Sequence, residues 1–290
     1  MIKIDVAELP LDSSSFSTMW DFGDSAHSEQ RFEAFAARAE GELAACSRTQ
    51  QARAIGLQRR FDEALEVLGS IEEGNPEPGD ELRIRMNLER GRVINSSGSP
   101  EDSVAHFERA WAIARENGLD GLAVDAAHML GIVVECDEGM KWNERALELA
   151  VSSNQPDANK WQGSLFNNMG WSYHESGNFE RALELFEWAL KLRIGEGKKE
   201  NIRVAKWCIG RCLRSLERLD EALAIQRELA QDPAADGYVY EEIGECLLAQ
   251  GNQNEAKPYC ARAYKNLSKD AWLIGNESDR LNRLKELGSD

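Results

Sequence analysis

The sequence predicts an all-α chain: a solenoid of about six helix pairs with a flanking helix at each end. Three observations predict it. A register of small and large apolar residues at helical spacing recurs six times. The small residues that mark it, Ala52, Gly91, Gly131, Gly170, Gly210 and Gly244, follow one another at 39, 40, 39, 40 and 34 residues, a period in the range of stacked helical repeats. The composition is that of a folded soluble chain, with 42% hydrophobic and 29% charged residues and a mean hydropathy of −0.51.

The clearest copy runs from Gly163 to Glu196. Phe166, Met169, Gly170 and Tyr173 form one helical stripe and Ala182, Leu185, Phe186 and Ala189 a second, with the turn Gly177-Asn178 between them. Small residues at 170, 182 and 189 let two antiparallel helices cross closely, and the large ones fill the space beside the crossing. Gly210, Leu213, Leu219, Ala222 and Ile225 repeat the pattern, as do Gly244, Leu247, Ala256, Tyr259 and Ala263. Upstream copies centre on Gly91 with Phe107 and Ala110, and on Ala52 with Ala64 and Leu68. The copy around Gly131 is about one helical turn short, which places a tight or irregular turn at Cys136 to Gly139. The repeats span about 45–78, 84–117, 124–152, 163–196, 203–235 and 237–268, within a single solenoid of 28–290. Ser28 to Glu42, with Phe32, Phe35, Ala36 and Ala39, reads as the first flanking helix, and a capping helix covers about 276–287. Residues 1–27 form a non-periodic arm. Its Met19, Trp20 and Phe22 are costly to leave in water, so it is expected to lie against the solenoid; the alternative is that it lies in the groove as an internal ligand.

These residues resemble the tetratricopeptide repeat, a helix–turn–helix of 34 residues. The resemblance covers roughly Ala44 to Leu267. The long period is similar to that of kinesin light chain-type adaptors, and Leu165-Phe-Asn-Asn-Met-Gly170 resembles their Leu-Asn-Asn-Leu-Ala pattern. The resemblance implies a right-handed superhelix whose first helices line a concave groove. It also implies groove positions six and three residues before each small residue and one, four and five after it. By that register Asn167, Trp171 and His174 come from the fourth repeat, Trp207, Arg211 and Arg214 from the fifth, Glu241 from the sixth, Arg92 from the second and His128 from the third. These nine are the candidate partner-binding residues. The groove set counts five arginines (53, 85, 92, 211, 214) against five acids (125, 135, 175, 241, 245), near neutral on a chain of net charge −17. Trp171 and Arg211 are expected to be neighbours across the groove, and the arginines to face solvent. The alternative for the two tryptophans is packing between helices. Trp111, Trp142 and Trp188, on second helices, read as structural.

Chemistry is otherwise sparse. No phosphate loop, nucleophile elbow or zinc-binding His pair is present, and the expectation is no catalysis, no cofactor and no metal. Cys208 and Cys212 lie one turn apart but lack the partners of a metal site, so the six cysteines read as structural thiols of a cytoplasmic protein. The acidic pairs Glu72-Glu73 and Glu241-Glu242 read as solvated helix faces. The acidic balance disfavours nucleic acid and anionic lipid. What remains is an interaction module holding a protein or peptide, with a carboxylate beside an apolar anchor. The alternative is a ligand-responsive regulator sensing a small peptide, and an enzyme built on the array is a further reading with no motif behind it.

Overall fold

In the computed structural model, which describes residues 5–134 and 136–289, every regular element among the described residues is helical. The chain divides into two compact units, Met1–Gln162 and Gly163–Asp290. Among the described residues no helix is long and apolar enough to cross a membrane.

The first unit begins with 3-10 turns at Val6–Glu8 and Ser13–Ser15 and a short α1 (Phe16–Met19). There follow α2 (Ser25–Ala36), the pairs α3 (Gly41–Leu57) with α4 (Phe61–Gly74), α5 (Asp80–Ser96) with α6 (Pro100–Glu116) and α7 (Asp120–Val133) with α8 (Cys136–Ser152), and a single-turn α9 (Pro156–Asn159). The second unit comprises the pairs α10 (Gln162–Glu175) with α11 (Phe179–Glu196), α12 (Lys199–Ser215) with α13 (Leu219–Leu229) and α14 (Gly237–Ala249) with α15 (Gln253–Leu267), then α16 (Ala271–Asn276) and α17 (Ser278–Leu287). All six expected pairs are present.

The reason for the register is visible at the small residues. A Cβ on Gly91 would meet the Phe107 ring at 2.6 Å, and one on Gly170 would meet Phe186 at 2.6 Å. One on Gly210 would meet Gln226 at 2.5 Å, and one on Gly244 Cys260 at 2.8 Å. Each partner lies sixteen residues on, and Leu68, sixteen after Ala52, is likewise fully buried. The close neighbour of Gly170 is therefore Phe186, one turn before Ala189. In the third pair the neighbour of Gly131 is Asn143, only twelve on, so the missing turn is real. Its place differs from expectation. Cys136 to Gly139 is helical, α7 stops at Val133, and only 134 and 135 connect the helices, where the other pairs use three residues. Glu135 lies outside the described residues. Gly139 packs against the carbonyl of Val134, a place with no room for a side chain.

The flanks depart more. The first flanking helix starts at Ser25, where the Asp24 carboxylate accepts from the backbone of His27 (3.0 Å), and ends at Ala36; Ala39 lies in a break before Gly41, which takes a positive φ of 57°. At the other end α16 precedes the expected capping helix, held at its start by Asp270, whose side chain accepts from the backbone of Trp272 (2.8 Å). Trp111 and Trp142 pack edge to face at 5.5 Å. Trp188 is 47% exposed, stacked on Phe166 with Lys191 Nζ 5.1 Å from its ring centroid, and does not belong to the core.

Candidate functional site

The nine candidate residues fall on first helices in two sets, Arg92 and His128 in the first unit and the other seven in the second.

In the second unit, α10, α12 and α14 place Trp171, Trp207 and Tyr238 in a row, with ring centroids at 6.0 Å and 6.2 Å. Trp171 also packs on Phe186 (5.1 Å) and His174 (5.2 Å). Both tryptophans are half-buried and rest on the core, so packing between helices accounts for part of each ring. The indole N–H of Trp207 is buried without a hydrogen-bond partner. Arg211 Nη1 donates to Ser215 Oγ (2.6 Å), and the Ser215 hydroxyl meets His174 Nε2 (2.9 Å). Burial, then the charges of Arg211 and Arg214, lower the pKa of His174 and so favour its neutral form. Asn167 Oδ1 accepts from the Cys208 thiol at 3.4 Å.

Two expectations for this face are corrected. Arg211 and Arg214 do not simply face solvent. Arg214 forms a two-pronged pair with Glu242 (2.8 and 3.1 Å), and Arg211 Nε lies 3.4 Å from the same carboxylate. Glu241 and Glu242 are buried rather than solvated, at 6% and 4% exposure, whereas Glu72 and Glu73 are exposed as expected. Glu241 is clamped by Arg280 of α17 through bonds of 2.7 and 2.6 Å, and Arg280 also lies over the Tyr238 ring at 5.4 Å. Arg283 of α17 pairs with Glu245.

In the first unit the same face carries a buried polar ladder. Glu89, 1% exposed, accepts from Gln50 (3.0 Å) and Arg92 (2.6 Å), and Arg92 reaches on to Asp125 of α7. Burial by itself would raise the Asp125 carboxyl, but Arg92 and Arg53 outweigh it and hold the group below its usual range. His128 packs edge to face on Trp161 (5.2 Å); burial lowers its pKa, with Asp125 opposing. Arg53 touches this ladder loosely, with Nε 4.0 Å from Glu89 Oε2, and that oxygen has no hydrogen-bond partner.

The arm completes this face. Phe16 and Met19 are buried against Phe32 and Phe35 of α2, and Arg31 Nη1 donates to the Met19 carbonyl (3.2 Å). Trp20 and Phe22 stack at 5.0 Å, with the Arg53 guanidinium 5.0 Å from the Trp20 ring and 5.8 Å from Phe22. Arg85 lies 4.9 Å over Phe16. The arm thus packs on α2 and, through Phe16, Trp20 and Phe22, on Arg85 and Arg53 of the expected groove set, and it walls a cavity of about 350 Å³ on the first-helix face, whose far side is lined by α7 and the 155–161 segment.

Glu89 and Glu242 were not among the sequence candidates. Each sits two residues before its small residue, Gly91 and Gly244, and each meets the arginine one after the preceding small residue, Arg53 and Arg211. That paired offset was the signal available in the sequence. The cysteines at 46, 208, 212, 246 and 260 are buried free thiols, and burial pushes Cys46 and Cys208 up to about 12. Among the described residues no three His, Cys, Asp or Glu are grouped to hold a metal.

The tetratricopeptide repeat family matches residues 167–237. No curated protein sequence matches the chain. Among solved structures, a Podosopora anserina protein of nearly identical TPR-like repeats, named for kinesin light chain, aligns at 16% identity over 64% of this chain and 92% of that one, with a TM-score of 0.51. A tetratricopeptide repeat protein from Parabacteroides merdae aligns at 14% identity, 96% and 100% coverage and a TM-score of 0.56. The quorum sensor NprR from B. thuringiensis aligns in its apo form at 14% identity, 93% and 83% coverage and 0.57; NprR in complex with its cognate peptide NprX gives 14%, 96%, 84% and 0.54. The family match covers residues 167–237, and the likeness to these solved structures shows that the chain has the fold of tetratricopeptide repeat proteins.

Proposed function

We propose that the chain is a non-catalytic interaction module that holds an extended peptide or partner segment along its first-helix faces. The observation that supports this best is the character of those faces. They carry half-buried tryptophans beside ion-paired arginines, residue types enriched at binding hot spots, where a purely structural face would carry apolar packing. Trp171, Trp207, Asn167 and His174 supply contact area in the second unit. Arg211, Arg214 and Glu241 supply charge held in place by Glu242 and Arg280. In the first unit Arg92 and His128 belong to the rigid ladder that shapes the surface. A preformed face spares the receptor the ordering cost that a flexible one incurs. The partner carries a carboxylate beside an apolar or aromatic side chain. The buried free thiols fit a reducing compartment, the cytoplasm.

A second reading, a regulator that responds to a small peptide, is favoured by the cavity of the first unit and by the likeness in fold to NprR. The test common to both is capture from native cell extract with the wild-type chain and with Trp171→Ala/Trp207→Ala. A partner retained by the wild type and lost by the folded double variant supports the module. Equal retention by both moves the site off the second unit's face.

A further inference from the structure

A second cavity of the first unit, about 500 Å³ in volume, lies among α4, α5 and α6. It uses the α5 stripe of Arg83, Asn87 and Arg90. That stripe is two residues, about 200° of helix, from the stripe of Arg85 and Arg92 on the first-helix face. The arm-walled cavity has a balanced lining, with Arg53, Arg85 and Lys160 against Glu81, Asp125 and Asp157. The second is lined by Arg83, Arg90, Arg109 and His106 against Glu72 alone, on a chain of net charge −17. Arg90 pairs with Glu72 at 2.8 Å and Arg83 with Asp80 at 2.9 Å, but both carboxylates are exposed, and exposed pairs hold weakly. Arg109, exposed on α6, has no hydrogen bond or ion pair among the described residues. His106 senses the resulting field. Burial, then the charges of Arg90 and Arg109, lower its pKa below the ordinary 6.5, and Glu72 opposes them less than either arginine acts. Asn87 fixes the ring. Its Nδ2 donates to the Arg83 carbonyl (2.8 Å), which turns its Oδ1 to His106 Nδ1 (3.3 Å). An amide oxygen only accepts, so Nδ1 carries the N–H, and Nε2 is the nitrogen that takes up a proton and becomes a donor beside an anion. Several guanidinium forks and an imidazole match a group with two charges and three oxygens, whereas one fork satisfies a carboxylate. Basic groups confined to one recess of an acidic chain do not track a nucleic-acid backbone. The volume lies within the roughly 300–1,000 Å³ common for ligand pockets.

We propose that this cavity binds a phosphate monoester dianion, gripped by Arg90 and Arg109, with His106 as a further donor and Arg83 adding charge. Pro76, Pro78 and Met86 offer the organic part of the ester an apolar wall. The site is separate from the first-helix faces and does not depend on their holding a peptide. Two sources share this chemistry, a small phosphate ester and a phosphorylated side chain of a partner.

The experiment follows the His106 imidazole of the full-length chain by NMR, assigned through His106→Gln, at pH 7.5 and constant ionic strength. The probes are glycerol 3-phosphate, an equimolar pool of phosphoserine pentapeptides, the same peptides unphosphorylated, and acetate. The expected result is a saturable shift of the His106 signal with the phosphorylated probes alone. Arg109→Gln should weaken that binding at least tenfold, Arg109→Lys should fall between, and Arg90→Gln with Arg109→Gln should remove saturation. Because Arg109 has no partner among the described residues, Arg109→Gln should keep its melting temperature within a few degrees. In that variant without ligand the His106 titration midpoint should rise, since one of the charges that lower it is gone. Tighter binding of glycerol 3-phosphate identifies a small ester as the source, tighter binding of the peptides a phosphorylated side chain, and equal binding a site that reads the phosphate group alone. Each of these supports the proposal. No saturable shift, an equal shift with unphosphorylated peptide or acetate, binding untouched by Arg109→Gln, or a midpoint unmoved in that variant would each overturn it.

Discussion

The first-helix faces of the two units use one register and fill it in opposite ways. In the first unit α3, α5 and α7 carry a buried chain of hydrogen-bonded charges, Gln50, Glu89, Arg92 and Asp125, beside an arm-walled cavity. In the second unit α10, α12 and α14 carry a row of rings, Trp171, Trp207 and Tyr238, with the charges at its side. Each face is finished by a segment outside the repeats. The arm supplies Trp20 and Phe22 to the first, and α17 supplies Arg280 and Arg283 to the second. The repeat fixes where the helices cross through the small residue and the side chain it faces. It leaves the residues just after that crossing open to either chemistry.

The comparison can be broken most sharply at Arg92. Its side chain is 11% exposed and it bonds two buried carboxylates. Arg92→Ala takes the hydrogen-bonded cation from Asp125 and leaves Glu89 only Gln50 and the loose contact of Arg53, and should cost about 3–5 kcal/mol, the scale for removing one partner of a buried pair. Chemical denaturation measures it. In the second unit Arg211→Ala with Arg214→Ala strips Glu242 of its partners, but these arginines are 26% and 23% exposed, so water enters more easily. The loss there should be about 2–3 kcal/mol. Arginines that simply faced solvent would instead be removable with little effect on stability. If the double variant costs more than Arg92→Ala, the distinction between a buried ladder and a rim pair is wrong.

A smaller effect tests what the units share. Gly170→Leu forces a side chain toward the Phe186 ring, which would stand only 2.6 Å from the new Cβ, and should cost about 1–2 kcal/mol through overpacking. Thermal melting reports it, and an unchanged curve would mean the crossing is not where the register puts it.

The smallest expected effect is on pH. His128 has a folded pKa below its ordinary 6.5, held there chiefly by burial. A lowered histidine means that the unfolded chain binds the proton more readily, so stability is full above about pH 6.5 and declines as pH falls below it. Asp125, also lowered, keeps its contribution above its ordinary 3.8 and loses it only on further acidification. Stability should therefore fall in two separate ranges, and the His128 imidazole should titrate by NMR below 6.5. A midpoint above 6.5 would contradict the burial that lowers it.

How far the sequence could be read follows from the same contrast. The helix pairs were readable because the first helices bring a small residue against a partner on the second helix, sixteen positions on at Gly91, Gly170, Gly210 and Gly244, and that constraint is local and periodic. The short third pair was readable as a deficit of one turn, although its place was not, since either helix could have given up the residues. The counter-ions were nearly hidden, traced only by their offset from the small residues. Glu89 and Glu242 are buried through partners in the preceding repeat, and in the sequence they are two more acids on a chain with 51 Asp and Glu. The completing segments were hidden too. Nothing periodic ties Trp20 to Arg53 or Arg280 to Glu241, which are brought together only when the flanks fold back.

Seven of the eight tryptophans offer the most direct test of the central claim, because they report on different faces. Trp20, Trp161, Trp171 and Trp207 belong to the first-helix faces or their walls, while Trp111, Trp142 and Trp188 belong to second helices. With 5-fluorotryptophan in the full-length chain and the partner recovered from native cell extract, the account predicts ¹⁹F shifts in the first group and unmoved signals in the second. Shifts confined to Trp111, Trp142 and Trp188 would place the partner on the opposite faces and contradict the account.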